Sequence, residues 1–217
     1  DNVFQYTLST AFDLSTASYN SVSFSVASQN TAPGGMYFNA DGTKMYVVGS
    51  DDVVYQYSLS TAFDLSTASY DSVSFDASNQ GTGMQGAVFN LDGTKMYMVD
   101  LANDSLFPYS LSTGFDVSTA SYNNVSFSVA SQETLPRDMA LNSDGTKLYM
   151  VGNASDNVFQ YSLSTAYDLS TASYDSVSFS VATQAQEIQA FTFNADGTKM
   201  YIVDAGNDTI YQYSTGL

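Results

Sequence analysis

An internal repeat of about 52 residues runs through the whole chain and constrains its fold more than any local motif does. Aligned on the aromatic-Gln-Tyr core of the repeat, the 217 residues divide into units 1–51, 52–103, 104–155 and 156–207, with a partial unit 208–217. Four asparagines keep this register, each 38 residues after the first Asp of its unit: Asn39, Asn90, Asn142 and Asn194. A repeat of this length is typical of folds in which similar supersecondary units pack side by side.

Each unit holds four short runs with the pattern of a β-strand. In the first unit and its continuation these runs are GGMYFN, KMYVVG, VVYQYSLS and SVSFD. The first two are joined by ADGT, whose Asp-Gly pair favours a tight hairpin. The third and fourth runs alternate apolar and polar residues, as half-buried strands do, whereas KMYVVG and its copies are continuously apolar and indicate an interior strand. No stretch shows a convincing helical period.

Four short antiparallel strands in a unit of this length are typical of a propeller blade. We therefore predict an all-β fold, a β-propeller of four blades of about 52 residues with four strands each, forming one domain over residues 1–217. The chain starts and ends in the third strand of a blade, so closing the ring leaves one third strand spare. Three arrangements stay open: a closed monomer, a ring of two chains, and assembly by pairing of a terminal strand with the next molecule.

The two terminal third strands supply the candidate assembly residues, and self-association is the partnership that we expect. These residues are Val3, Phe4, Tyr6, Ile210, Tyr211 and Tyr213.

Composition excludes several classes of function. The chain has no Cys and no His, which removes thiolate nucleophiles, zinc-sulfur sites, imidazole bases and the Ser-His-Asp triad. It has 5 Lys and Arg against 22 Asp and Glu, a net charge of −17, which repels phosphate backbones and anionic lipid. No apolar run approaches the roughly 18 residues that span a bilayer. We expect no nucleic-acid binding, no membrane insertion and no enzymatic activity.

The hairpin and third strand of each unit resemble a known repeat. The segment NADGTKMYVVGSDDVVYQYSLS and the copies NLDGTKMYMVD, NSDGTKLYMVG and NADGTKMYIVD are similar to the YVTN-type and lactonase-like surface-protein propeller repeats. The similar segment occurs in every unit, and the resemblance implies that each unit folds as a propeller blade. It also implies that relatives occur in microbial surface layers and adhesins, while the lactonase-like members use His, Glu and Arg around a central channel.

Residues that differ between units are candidates for ligand binding, because the shared residues are explained by the blade. The loops between the fourth strand of one blade and the first of the next hold both glutamates and the arginine of the chain: Glu133, Glu187 and Arg137. These loops share one face of a propeller with the loops between second and third strands. A glycan or protein ligand on this face is the alternative hypothesis.

Four sequons are candidate glycosylation sites, three of them at equivalent positions between second and third strands. They are Asn103, Asn153 and Asn207, with Asn124 before a fourth strand. The same loops contain Asp100, Asp104, Asp204 and Asp208, whose oxygens suit calcium, although their spacing does not follow a known calcium loop. We predict no required cofactor and no metal site, with calcium as the one ion considered.

These observations favour an extracellular or cell-surface, non-enzymatic protein with a structural or adhesive role, such as a subunit of a surface layer or fibre. A lectin-like or protein-binding propeller is the alternative.

Overall fold

The computed structural model describes residues 1–216, which form antiparallel strands joined by tight turns. We name the strands β1 to β18 in chain order. An N-terminal hairpin contains β1 (Asn2–Leu8) and β2 (Ala17–Ser25). Blade 1 contains β3 (Pro33–Phe38), β4 (Lys44–Gly49), β5 (Val53–Leu59) and β6 (Ala68–Asp76). Blade 2 contains β7 (Met84–Phe89), β8 (Lys95–Asp100), β9 (Ser105–Leu111), β10 (Ala120–Tyr122) and β11 (Phe127–Ser128). Blade 3 contains β12 (Pro136–Leu141), β13 (Lys147–Gly152), β14 (Asn157–Leu163) and β15 (Ala172–Ser180). Blade 4 contains β16 (Ile188–Phe193), β17 (Lys199–Asp204) and β18 (Thr209–Ser214).

The prediction of an all-β, four-bladed propeller is confirmed. Within each blade the strands pair antiparallel in chain order, and in blade 2 both β10 and β11 pair with β9 as its outer strand. The first strands of the blades, β3, β7, β12 and β16, contact one another around the centre. Blade 4 differs from the other three because it has three strands.

The Asp-Gly turns form the predicted hairpins between first and second strands. In blade 1 the Asp41 carboxylate accepts a hydrogen bond of 2.9 Å from the Thr43 amide. Gly42 has a φ of 70°, and a Cβ at this residue would lie 2.3 Å from the Phe63 ring. A residue with a side chain is therefore excluded here both by backbone conformation and by space.

The helical content is four 3-10 turns of three residues, each before the outer strand of a sheet: Leu14–Thr16, Leu65–Thr67, Val117–Thr119 and Leu169–Thr171. In each turn the preceding Asp caps the first amides, as Asp64 does by accepting from the Ser66 amide at 3.0 Å. The described residues thus contain no helix with the length and apolar character needed to cross a membrane.

The core lies between neighbouring sheets, where large side chains are fully enclosed. Tyr46, Tyr57, Tyr97, Tyr109 and Tyr161 are each 0% exposed. Since every blade buries one face against the next, the repeat is stable only when each unit has a neighbour.

The two terminal third strands, β1 and β18, both have a place in the closed ring. The terminal pair β16–β17 is completed by β18, and β1 remains with β2 in a separate two-stranded sheet. The hairpin contacts blade 4 through the Leu14 amide, which donates to Gln212 at 2.9 Å. It contacts blade 1 through Gln5, which accepts from the Leu65 amide at 2.9 Å. Neither strand is spare within the molecule, because the hairpin fills the outer part of the gap between blades 4 and 1.

Candidate functional site

The four inner strands surround a central cavity of about 570 Å³. The residues at its mouth belong to the turns between first and second strands, including Leu91, Asn142 and Asp196. Tyr37 and Thr192 contribute hydroxyl groups to the lining, beside apolar residues such as Val88, Phe89 and Phe193. A cavity of this size with a few polar groups is the usual form of a small-molecule site.

Among the strand residues of the lining there is one carboxylate, and it occurs in one blade only. The inner-strand residue paired with the last valine of the second strand is glycine in blades 1 and 2 and alanine in blade 4. In blade 3 the residue in this place is Asp138, paired with Val151. At this position the inner strands of neighbouring blades lie close together, since a Cβ on Gly35 would lie 2.6 Å from the Gln85 carbonyl oxygen.

The Asp138 carboxylate lies between three blades. One oxygen accepts a hydrogen bond of 2.8 Å from the Met139 amide on its own strand. The other accepts a hydrogen bond of 3.0 Å from the Phe191 amide of blade 4. On the side of blade 2, a Cβ on Gly86 would lie 2.9 Å from Asp138 Oδ1. A side chain at residue 86 would thus displace the carboxylate.

Burial raises the pKa of Asp138 to about 7, and the two amide hydrogen bonds offset this only in part. The described residues contain two ion pairs, Lys44–Asp71 and Lys147–Asp175, so Asp138 has no cationic partner there. A carboxyl group that is half ionised near neutral pH can both accept and donate a proton. Asp138 is therefore the candidate acid–base residue of this structure.

Arg137, a predicted ligand-binding residue, lies on β12 immediately before Asp138. Its Nη1 donates to Gln85 Oε1 of blade 2 at 2.9 Å. Its Nε is buried and has no hydrogen-bond partner within residues 1–216. Arg137 is thus held against blade 2 at the end of the channel that faces away from the hairpin turns.

The two glutamates predicted to bind ligand occupy different environments. Glu133 is 1% exposed, and its carboxylate accepts from the amides of Leu135 at 2.8 Å and Ala154 at 2.9 Å. It also accepts a hydrogen bond from the Ser155 hydroxyl at 2.6 Å. The carboxylate therefore joins the loop before β12 to the loop after β13. Glu187 is exposed. No hydrogen bond or ion pair joins Glu133, Arg137 and Glu187 in the part of the chain described.

The sequon asparagines also differ. Asn103 and Asn207 are exposed, and their side chains donate to Asp100 and Asp204 in the same loops. Asn153 is half-buried, with Oδ1 enclosed and unpartnered. Asn124 is exposed, at a φ of 57°. Glycosylation stays a prediction for all four.

Residues 1–216 contain no cluster of acidic side chains that would support the calcium hypothesis. Asp100 and Asp204 are 0% and 1% exposed. Asp100 accepts a hydrogen bond from the Ala102 amide of its own loop, and Asp204 accepts one from the Glu187 amide of the loop before β16. Among residues 1–216 no three acidic side chains lie close enough together to hold a metal ion. Calcium binding stays a hypothesis.

The candidate assembly residues lie on strands β1 and β18, as predicted. Phe4, Tyr6 and Ile210 are 53%, 57% and 52% exposed. Val3, Tyr211 and Tyr213 are half-buried.

Sequence reasoning missed Asp138, although the signal was present. The inner strands read PGGMYF, MQGAVF, PRDMAL and IQAFTF, so an acidic residue replaces glycine or alanine at the third position of one copy. The sequence analysis searched the loops before these strands for ligand-binding residues, and it therefore identified Arg137 but not Asp138.

Solved structures with the same fold include proteins of several organisms. A functionally unknown protein from Desulfotomaculum acetoxidans superposes with a TM-score of 0.57 at 14% identity, covering 85% of this chain and 55% of its own. A "putative 6-phosphogluconolactonase" from Bacteroides fragilis has a TM-score of 0.55 at 14% identity, over 85% and 52% of the two chains. One from Bacteroides uniformis has a TM-score of 0.55 at 12% identity, over 85% and 54%. The chain spans about half the length of these proteins.

Neither a known protein family nor a curated protein matches the sequence. The prediction of a non-enzymatic structural or adhesive subunit is wrong on this comparison, because two of the structures with this fold carry the name of a lactonase. These names also weaken the expectation that the protein has no enzymatic activity. At 12–14% identity the likeness shows a shared β-propeller fold.

Proposed function

We propose that the protein is a lactonase-like hydrolase that opens a small, uncharged cyclic ester in its central cavity, with Asp138 as the general base. The observation that carries this proposal is an unpaired carboxyl group, with a pKa of about 7, in the lining of a cavity of about 570 Å³. The names of two proteins with the same fold support the class of reaction.

In the proposed reaction Asp138 acts on water rather than on the ester itself. The ionised carboxylate removes a proton from a water molecule as its oxygen attacks the ester carbonyl carbon, and the carbonyl electron pair moves to oxygen. When the tetrahedral intermediate collapses, the ring C–O bond breaks and the leaving oxygen takes the proton from Asp138. The product is an open hydroxy acid, and the Asp138 carboxylate is regenerated.

The electrostatics favour an uncharged substrate. The chain carries a net charge of −17, which disfavours the approach of an anion such as a phosphorylated sugar. Arg137, the one arginine, is engaged by Gln85 beside Asp138. The hydroxyls of Tyr37 and Thr192 suit the polar groups of a neutral lactone, and the walls from Phe89 and Phe193 suit its ring. Burial raises the pKa of Tyr37, so this hydroxyl remains a hydrogen-bond donor at neutral pH.

The experiment compares wild type with Asp138→Asn in a pH-indicator assay of δ-gluconolactone opening, corrected for spontaneous hydrolysis. General-base catalysis predicts that turnover falls by about 100-fold in the variant. In wild type the rate should rise with pH through about 7, as Asp138 ionises. The matched control is Asp92→Asn, an exposed hairpin aspartate that accepts from Thr94 at 2.9 Å and should leave the rate unchanged.

A purely structural role for Asp138 makes a different prediction. The carboxylate joins β12 to β16 through Phe191, so Asp138→Asn could act by loosening that contact. Turnover that is absent from folded wild type across a panel of neutral lactones, or that is equal in the variant, would contradict the proposal.

An extracellular location is a further part of the proposal. It is supported by the sequon residues Asn103 and Asn207, which are exposed in equivalent loops. Mass spectrometry of these two tryptic regions from the natural source tests it.

A further inference from the structure

The walls of the central cavity differ between the two halves of the ring. Blades 1 and 2 contribute apolar and aromatic side chains, which are Met36, Tyr37, Val88, Phe89 and Leu91. Tyr37 has the one side-chain oxygen among them, and its hydroxyl donates to the Phe89 carbonyl at 3.5 Å. Blades 3 and 4 contribute the carboxylates of Asp138 and Asp196, the amides of Asn142 and Asn194, and the hydroxyls of Ser143 and Thr192. The cavity formed by residues 1–216 therefore has an apolar side and a polar side.

The apolar side follows the inner strands from the level of Asp138 to the hairpin turns. Asp138 is the third residue of β12, and Val88 is the fifth residue of β7. Leu91 occupies in blade 2 the turn position that Ser143 occupies in blade 3. Because a strand rises about 3.4 Å per residue, the five positions from Asp138 to Ser143 span up to about 17 Å. This length accommodates a lactone ring and a chain of several carbons that runs toward the mouth.

Leu91 continues the apolar side to the mouth of the cavity. Its side chain is 63% exposed, and the equivalent turn residues of the other blades are smaller: Ala40, Ser143 and Ala195. The blade fold therefore does not require a large side chain at this position. A single exposed leucine is ordinary on a protein surface, but one that extends the wall of a cavity is available to cover an apolar ligand.

We infer that the substrate is a neutral lactone that carries an alkyl chain, and that Leu91 determines the preference for this chain. The inference rests on the proposed lactonase function, because Asp138 fixes where the ester group lies. With the ester at Asp138, its oxygens face the polar side of the cavity near Thr192. The alkyl chain lies along Val88 and ends against Leu91.

The substituent is an alkyl chain rather than a hydroxylated one. A hydroxyl on the side of blades 1 and 2 would lose hydrogen bonds to water and meet no side-chain partner there other than Tyr37. A methylene group in the same place gains the free energy of leaving water. An alkyl lactone is also uncharged, so the net charge of −17 does not oppose its entry.

The first test measures turnover of six-membered lactones that carry no chain, a propyl chain, a pentyl chain or a heptyl chain. In wild type kcat/KM should rise about fourfold for each methylene group that the apolar side covers. Leu91→Ser introduces the residue that blade 3 has at the equivalent position, so the turn is expected to keep its fold. In this variant the ratio of kcat/KM for the heptyl lactone to that for the unsubstituted lactone should fall about tenfold.

Leu135→Ser is the matched control. Leu135 is 42% exposed and lies in the loop before β12, outside the cavity lining, so the variant should keep the wild-type ratio. Turnover in wild type that does not depend on chain length overturns the inference and leaves the proposed hydrolase intact. The same dependence in wild type and in Leu91→Ser overturns the role of Leu91.

The second test measures binding without turnover and so separates this inference from the proposed reaction. Six-membered lactams with the same four substituents keep the ring and are not opened by the proposed reaction. In titration calorimetry Kd for wild type should fall about fourfold for each covered methylene, and Leu91→Ser should bind the heptyl lactam about tenfold more weakly. Lactams that bind in this way while no lactone is turned over support the ligand class and contradict the hydrolase. Lactams that do not bind, or that bind equally at every chain length, overturn the inference.

Discussion

The outer and inner edges of blade 3 each hold an aspartate, and the two have opposite environments. At the outer edge, Asp175 accepts from Lys147 Nζ at 2.8 Å, Gln160 Nε2 at 2.8 Å and Ser162 Oγ at 2.6 Å. These donors lower its pKa to about 2, against the opposing effect of burial. At the inner edge, Asp138 accepts from two amides and has no cation, and burial raises its pKa to about 7.

The difference separates the scaffold from the candidate site. The arrangement of Asp175 recurs in blade 1, where Asp71 accepts from Lys44 at 2.7 Å and from Gln56 at 2.9 Å. Asp138 has no counterpart in any other blade. The carboxylates that recur with a lysine, Asp71 and Asp175, hold an outer strand to its neighbours, whereas Asp138 occurs once and has no cationic partner in the described residues.

Blade 2 lacks the hydrogen bonds from lysine and glutamine to an outer-strand aspartate that blades 1 and 3 share. Pro108 replaces the glutamine and Asn123 replaces the aspartate, and Lys95 donates instead to the Tyr167 carbonyl at 3.0 Å. Here the outer strand is divided into β10 and β11. Proline also removes the backbone donor at the centre of β9, which contributes to the break.

The largest expected effect concerns Asp138 and pH. Its pKa is about 7 in the folded protein against 3.8 for the free side chain, so between these values the folded state holds a proton that the unfolded state has released. The free energy of unfolding should therefore fall as pH rises, by up to about 1.4 kcal/mol per pH unit from roughly pH 4 to 7. Urea unfolding of wild type and Asp138→Asn at pH 5 and pH 8 measures this, and the variant should lack the decline.

For this prediction Asp175 is the internal contrast. Its lowered pKa stabilises the fold above about pH 4, and this contribution is lost as pH falls through about 2. If Asp138→Asn keeps the wild-type decline between pH 5 and 8, the carboxyl group is not responsible for it.

The next largest effect is expected from removing the outer-strand aspartate of blade 3, which accepts hydrogen bonds from lysine and glutamine. Asp175→Ala leaves Lys147 and Gln160 without their acceptor and should lower the free energy of unfolding by about 2 kcal/mol. Asn123→Ala is the matched change in blade 2, where the lysine is already bound elsewhere, and it should cost about 0.5 kcal/mol or less. Urea denaturation checks both, and equal losses would mean that the ion pair adds nothing to the outer strand.

The smallest effect is a gain from repairing blade 2. Pro108→Gln combined with Asn123→Asp restores a backbone donor and supplies an acceptor for Lys95, which should add about 1 kcal/mol. Hydrogen exchange of the amides between residues 120 and 128 should slow in the double variant. Unchanged exchange would show that the break between β10 and β11 has another cause.

Much of the fold could be predicted because its signals are local and repeated. The Asp-Gly hairpins follow from a turn chemistry that residues such as Asp41, Gly42 and Thr43 satisfy within a few positions. The alternation in the third and fourth strands and the apolar second strand determined the order of strands in a blade. The 3-10 turns gave no convincing helical period in the sequence, because each is only three residues long.

The sequence by itself thus determined the propeller, the strand order and the boundaries of the repeat, since period and turn chemistry act over short distances. Only the tertiary structure decided that Asp138 is half-buried in the cavity wall without a cation, because its neighbours Gly86 and Phe191 belong to other blades. It likewise decided that β18 completes blade 4 while β1 stays with β2. Periodicity alone does not decide whether β1 or β18 completes blade 4, because the two strands are equivalent in the repeat and the outcome depends on which surfaces meet when the ring closes.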